Sequence, residues 1–430
     1  MRRLYTLLVA LALPLASLMV LWRGFRERSY WSGWGERFGR GRPLTGTRPS
    51  LWIHAVSVGE VQAATGLVAA FRDQWPEWPI CLTTATPGGR ARARAACDPG
   101  VDVRYAPYDL PWFTRRTLRR LRPALLVIME NEIWPNLLNE CARAGVPVVI
   151  ASARLSARSM ARWVHFGALL QPALSGTVSV AAQSAADAER FQVLGVPAAR
   201  VQICGNIKFD RGVCAAAQPS GRAWRAHYAA KRPIWVAGST HAGEEQAALS
   251  AHAALRASCG NALLVLAPRH RPRFAAVAEL LERSGVAWLR YSSLAGQAVP
   301  LNDSISVLLL DTIGELENFY AAADVAFVGG SLVPVGGHNL LEPAALGIAT
   351  LTGPYQGNAP DIARLLTASG GLQIVRDATE LGASLTALMA DSGARARLAA
   401  AAQATVAANR GALARVLALV RERLAASPAR

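Results

Sequence analysis

The sequence predicts an α/β protein of two Rossmann-like halves facing a cleft, preceded by an N-terminal membrane-anchor helix. Three observations carry that expectation. Short apolar runs alternate with amphipathic, helix-like stretches over most of the 430 residues, the pattern of parallel sheets covered on both faces. The alternation breaks once, at about residues 208–231, and then restarts, which divides the chain into two sheets of ordinary domain size. An uncharged run of 19 residues, Leu4 to Trp22, precedes everything else.

That first run is long enough to cross a bilayer, with a shallow, tilted insertion as the alternative. Arg2 and Arg3 stand before it, and Arg23, Arg26, Arg28, Arg37, Arg40, Arg42 and Arg48 stand after it, so the positive-inside rule places the C-terminal side in the cytoplasm. No small-x-small cleavage site follows, which disfavours a removable signal peptide. Candidate strands of the first half are Leu51–Val56, Ile80–Ala85, Val101–Tyr105, Ala124–Met129, Val146–Ala151, Val178–Ala182 and Val201–Cys204. Those of the second half are Ile234–Ala237, Ala262–Ala267, Val286–Arg290, Ser306–Leu310, Val325–Val328 and Ala349–Leu351. The expected organisation is an anchor over 1–28, an acceptor-side domain over 29–212, a linker over 213–231 and a second domain over 232–430. The Ala/Leu/Arg-rich tail, Ser384 to Ala426, is expected to add helices to that second domain.

Composition narrows the function. Hydrophobic residues make up 52% of the chain and charged ones 17%, enough to build large cores. The formal charge of +17 predicts an anionic partner, whether nucleic acid, membrane or phosphorylated substrate. The basic residues are scattered, without a Lys/Arg block interleaved with aromatics, so nucleic acid is set aside. The six cysteines form no CxxC pair and no His/Cys cluster has ligand spacing, so a reduced compartment and no metal site are expected.

In open α/β sheets ligands sit beyond the carboxyl ends of the strands, so residues just after strands are the candidates. After the first strand comes Ser57-Val58-Gly59-Glu60. Ser57 and Glu60 have the spacing of a capping box. A carboxylate there also suits removal of a proton from an attacking hydroxyl, and both readings stand. His54, within the strand, reads as a core residue. Thr84-Ala85-Thr86-Pro87-Gly88-Gly89-Arg90 is a strand running into a Gly-rich turn, where N–H groups and Arg90 can meet an anion. Glu130-Asn131-Glu132, with Asn136, follows a buried strand, and acids packed that closely are candidates for a shifted pKa or for binding hydroxyls. Lys208, beyond the last strand of the first half, can hold a carboxylate or a phosphate.

The second half ends one strand in Pro268-Arg269. It has a strand–turn–helix start at Asp311 to Leu316, and a Gly-rich loop from Gly329 to Gly337. A helix is expected from about Asn339, with Glu342 one turn along to accept from ribose hydroxyls. The loop amides and the helix start are expected to meet a phosphate. The pattern is neither GxGxxG nor Walker A, so neither a dinucleotide enzyme nor a P-loop kinase is indicated.

Taken in order along nearly the whole chain, these blocks resemble the 3-deoxy-D-manno-octulosonic acid (Kdo) transferases of lipopolysaccharide synthesis, above all Ser57-Val58-Gly59-Glu60 and Gly336-Gly337-His338-Asn339-Leu340-Leu341-Glu342. The resemblance implies a GT-B fold, CMP-Kdo as donor, a lipid A precursor as acceptor and transfer with inversion at the inner membrane. It implies that Glu60 is the proton acceptor and that Glu130 and Lys208 stabilise the transition state. It assigns CMP binding to Pro268, Arg269, Ile313, Gly314, Glu315, Asn339, Leu340, Leu341 and Glu342. No cofactor and no divalent ion are implied. Rival readings are a GT-B transferase using a UDP-sugar and a non-catalytic protein that binds lipopolysaccharide precursors. The number of Kdo units transferred is not legible.

Overall fold

A computed structural model describes residues 1–212, 214, 216–294 and 300–426. The remaining positions, 213, 215, 295–299 and 427–430, fall in the expected linker and second domain and lie outside the described residues.

The first sheet has seven parallel strands: β1 (Ser50–His54), β2 (Ile80–Thr84), β3 (Asp102–Tyr105), β4 (Pro123–Met129), β5 (Val148–Ala153), β6 (Val178–Ala182) and β7 (Val201–Ile203), in the order β3-β2-β1-β4-β5-β6-β7. Both faces are buried, as a parallel sheet requires. Leu51, Ile53, Leu125, Val127 and Val149 point to one core, with Leu67 and Phe71 of the helix Val58–Gln74. Trp52, Leu126, Ile128 and Ile150 point to the other, with Leu137 and Leu138 of the helix Pro135–Arg143. Period-2 alternation of side chains across continuous apolar strands produces both cores from the same residues.

The second sheet also has seven parallel strands: β8 (Ile234–Thr240), β9 (Leu263–Pro268), β10 (Trp288–Arg290), β11 (Val307–Leu309), β12 (Val325–Val328), β13 (Ala349–Thr352) and β14 (Gln373–Ile374), in the order β10-β11-β9-β8-β12-β13-β14. One of its cores is built from Trp235, Leu264, Leu266, Leu309 and Phe327. The thirteen expected strands are all present, with ends within two residues except for β8, which runs three residues past its expected end at Ala237. β14 is added, two residues long and only partly buried, too short to show a pattern.

In each sheet the chain leaves its first strand in one direction and later returns to the other side of it. The reversal lies between β1 and β4 in the first sheet and between β8 and β12 in the second. A crevice opens at such a point, at the carboxyl ends of the strands.

The chain divides into two compact units, residues 1–211 with the chain from Asn409 onward, and residues 212–408. This departs from the expected boundaries in two places. The helix Ala412–Ala425 belongs to the first unit, where Val416 and Val420 fill the core beside Leu67 and Phe71. The Asp210 carboxylate accepts from the N–H groups of Gly411 and Leu413, and Arg415 donates to the Cys204 carbonyl. The expected linker carries a helix, Ala217–Tyr228, packed on the helix Leu316–Ala322 so closely that a Cβ on Gly221 would lie 2.2 Å from the Asn318 carbonyl oxygen. It is part of the second unit. The first helix, Arg2–Arg26, is long and apolar enough to cross a membrane.

Candidate functional site

The carboxyl edge of the first sheet gathers its acids at the reversal between β1 and β4. Beyond β1, Ser57 caps the helix Val58–Gln74 by accepting from the Glu60 N–H at 3.3 Å. The Glu60 carboxylate turns back to accept from the Val56 N–H at 2.8 Å and from the Ser57 hydroxyl at 2.9 Å. This is a variant of the capping box, in which the carboxylate reaches one residue before the cap, to Val56, and takes the cap's hydroxyl. It holds a carboxyl group that is only 8% exposed. Burial pushes Glu60 up to about 7. The Glu132 and Glu130 carboxylates add to that rise, against the pull of the Val56 N–H and the Ser57 hydroxyl. Capping geometry and a carboxyl poised near neutrality thus coexist in one side chain. His54 is fully buried, held 3.0 Å from Thr83, and lowered to about 4 by desolvation, as a core histidine.

Beyond β4, Glu130 sits at φ +56 and Ser152 of the neighbouring β5 at φ +50. Left-handed backbone at non-glycine residues costs of order 1–3 kcal/mol each and persists only where surrounding structure enforces it. Here it turns Glu130 toward Lys208, whose ammonium lies 2.5 Å from the carboxylate. Lys208 rides on the turn Ile207–Asp210. That turn is fixed by three contacts: Asn206 accepting from the Lys208 N–H, Ser152 accepting from the Ile207 N–H, and Asp210 bound to the C-terminal helix. Glu132 accepts from the Trp134 indole at 2.8 Å, and burial followed by Glu130 raises its pKa. Glu60, Glu130, Glu132 and Lys208 thus share one edge, although 148 positions separate the first from the last in the numbering.

Two other candidates are engaged elsewhere. Arg90 is buried, pairs with Glu36 at 2.9 Å and lies over the Tyr105 ring, so its anion is a carboxylate of the chain itself. Asn136 opens the helix Pro135–Arg143, its own N–H and that of Leu137 donating to Asp109.

The carboxyl edge of the second sheet is built differently. Beyond β8 the fully buried Glu244 carboxylate accepts from the N–H groups of His241, Gly330, Ser331 and Leu332 at 2.7–2.9 Å. It clasps the Gly-rich loop after β12 across the reversal point. This corrects the expectation that those loop amides face a phosphate: an acid 86 positions upstream of Gly330 occupies them. The helix that follows runs Leu341–Leu346, starting two residues later than expected. Asn339 precedes it, accepting from the Leu341 N–H and donating to Glu342 at 2.9 Å.

Beyond β9, Arg269 is exposed, its N–H bound to the Thr240 carbonyl, while Pro268 is buried. His241 and His338 stack with their rings 9° apart and their Nε2 atoms 2.8 Å apart. His270 meets His241 edge-on. Burial, then the Arg269 charge, lowers His338 to about 4, so it is neutral in this pair. Beyond β11, Gly314 takes φ +98 and Ile313 is exposed. Glu315 accepts from Asn318 at 2.6 Å at the start of the helix Leu316–Ala322. The segments at 268–269, 313–315 and 339–342 therefore lie on one edge, with the three histidines among them. Neither the histidine cluster nor Glu244 is visible as a local motif. Its place soon after β8 is a signal by which Glu244 could have been found.

Comparison with known proteins places these edges in a family. Residues 32–211 match the family described as 3-deoxy-D-manno-octulosonic-acid transferase (kdotransferase). The 3-deoxy-D-manno-octulosonic acid transferase of Haemophilus influenzae is 38% identical over 98% of this chain and 98% of its own. The protein of the same description from Bordetella pertussis is 38% identical over 97% and 98%. Among solved structures, a glycosyltransferase from Rickettsia africae is similar in fold, with a TM-score of 0.54 and 11% identity over 89% of this chain and 100% of that one.

Proposed function

This chain belongs to the 3-deoxy-D-manno-octulosonic acid transferase family of glycosyltransferases, and we propose that it moves Kdo from CMP-Kdo to a lipid A precursor with inversion, Glu60 acting as the base. In the step, the acceptor's hydroxyl oxygen bonds to the anomeric carbon while the bond from that carbon to the CMP phosphate breaks. The hydroxyl proton passes to the Glu60 carboxylate, and the bonding pair leaves with CMP. Such displacements run through an oxocarbenium-like state and ask the protein for positioning and charge rather than covalent chemistry.

The observation that carries the base assignment is the Glu60 carboxyl held near pKa 7 at the reversal point of the first sheet. A base works best when its pKa lies close to the working pH. The Glu130–Lys208 pair supplies an ordered charge couple on the same edge, suited to the charge that develops as the bond breaks.

On the second unit, Arg269 is the exposed cation for the departing phosphate. Pro268, Ile313, Gly314, Glu315, Leu340 and Leu341 form the walls for CMP, and Asn339 with Glu342 takes the ribose hydroxyls. Glu244 acts indirectly by setting the course of the loop. The +17 charge and the apolar first helix suit an enzyme held at the anionic cytoplasmic face of the inner membrane.

The test is to incubate the detergent-purified protein with CMP-Kdo and lipid A precursor beside a Glu60→Ala variant, following lipid mass. A gain of one or more Kdo units by the wild type, lost in a folded variant, supports donor, acceptor and base together. No gain with CMP-Kdo but gain with a UDP-sugar would overturn the donor assignment.

A further inference from the structure

The first helix, Arg2–Arg26, has two unlike faces. Leu7, Leu8, Leu11, Leu15, Leu18 and Phe25 are exposed by 55–79%. Tyr5, Thr6, Val9, Leu13, Ser17 and Val20 recur at helical spacing and are half-buried.

Its beginning is fastened to the first unit. The Tyr5 hydroxyl donates to the Asp109 carboxylate at 2.9 Å, and the Thr6 hydroxyl to the Asn136 side chain at 3.0 Å. Asp109 also accepts from the N–H groups of Asn136 and Leu137, which open a helix of the α/β fold. Its end is fastened too. The Trp31 indole donates to the Leu21 carbonyl and lies against Gly24 where a Cβ would stand. Arg37 and Glu36 then bind Ala85, Tyr105 and Arg90 of the same unit.

These ties conflict with a helix that crosses a bilayer. At about 1.5 Å per residue, Tyr5 lies roughly 24 Å along the axis from Leu21. A crossing would carry Tyr5 to the far side and Asp109 with it. The N–H groups and carboxylate that start the helix Pro135–Arg143 would then enter hydrocarbon, where unsatisfied polar groups are not tolerated. A helix lying flat, with its leucine face in the acyl boundary, satisfies both the apolar face and the ties at each end. Cations stand where headgroups would be: Arg2 and Arg3 at one end, Arg23, Arg26 and Arg28 at the other. The helix Pro111–Leu121, which begins just after Asp109, adds an exposed Trp112 and Arg119, an aromatic and a cation of the kind that settle at an interface.

Resting on the membrane reading above, we propose that this helix lies in the plane of the cytoplasmic leaflet against anionic phospholipid and does not span the bilayer. The test uses the full-length Arg3→Cys protein in spheroplasts and a membrane-impermeant maleimide, with the native exposed Cys214 as the cytoplasmic reference, read peptide by peptide. In membranes that retain the protein, the flat helix predicts no labelling at position 3 or at Cys214 before lysis, and labelling of both after it. Labelling at position 3 before lysis, with Cys214 protected, would show a crossing and overturn the proposal. Protection of position 3 even after lysis would also overturn it, because a headgroup-level residue is accessible. Recovery of the protein in the soluble fraction would instead remove the membrane reading itself, leaving the transfer assay unaffected.

Discussion

The carboxyl edges of the two sheets have the same topology and opposite furnishing. The first offers three acids and one lysine, drawn together in partly dry surroundings, with Glu60 raised to about 7 and Glu130 clamped on Lys208. The second offers an exposed arginine, three histidines and a glycine loop whose amides are already bound by Glu244. One edge gathers carboxylates around a single lysine, one of them raised toward neutrality. The other sets an exposed cation and imidazoles beside a loop whose course Glu244 fixes. A shared fold thus places two kinds of chemistry at equivalent points, and side chains alone divide the labour.

The sharpest way to break this comparison is to remove the proposed proton acceptor without changing shape. Glu60→Gln keeps the size and one acceptor oxygen of the capping box. Its transfer rate is expected to fall by about 10² to 10⁴, the usual worth of a general base, while the melting temperature stays near that of wild type. A large loss of stability together with activity would return Glu60 to a purely capping role.

On the same edge, Glu130→Gln and Lys208→Met each leave one charge without its partner. Each is expected to slow transfer, and the double variant should be less impaired than the sum of the two. A coupling of about 1–3 kcal/mol in a double-mutant cycle on kcat/KM is the expectation for groups in direct contact. Simple additivity would mean that the pair does not act as a unit.

On the second edge, Arg269→Ala is expected to raise the KM for CMP-Kdo by about tenfold, the loss of one charge-assisted contact, with a smaller effect on kcat. A change in the acceptor's KM alone would contradict the assignment of this edge to the donor. Smallest in its effect on chemistry is Asp210→Ala. It removes two hydrogen bonds to a carboxylate at the start of the C-terminal helix. The expected cost is about 2–3 kcal/mol of stability, read by denaturant unfolding, with little change in the donor's KM.

Most of the fold was legible because parallel strands buried on both faces are continuous apolar runs, and such runs bracket their own turns. Glu60, Glu130 and Lys208 were legible as residues just beyond strands. What the sequence could not show were the contacts made across long intervals. Arg90 reads as a free cation until Glu36 is seen beside it. The loop amides at 330–332 read as available until Glu244 is seen beneath them. The tail from Asn409 reads as an extension of the nearer domain, because an Ala/Leu/Arg stripe does not say which sheet it will cover. It was Asp210 and the open core around Phe71 that placed it.

The central claim is that a carboxyl near neutrality, on the first edge, takes the acceptor's proton. The most direct measurement is the pH dependence of kcat/KM for Kdo transfer in wild type and in Glu60→Gln. Only the ionised Glu60 can act as base, so the wild-type rate should rise with pH through about 7 and level off above it. Below that point it should fall about tenfold per pH unit. The variant should be slow at every pH and lack this limb. A wild-type limb near 4.5, or an unchanged limb in the variant, would contradict the account and assign the proton to another group.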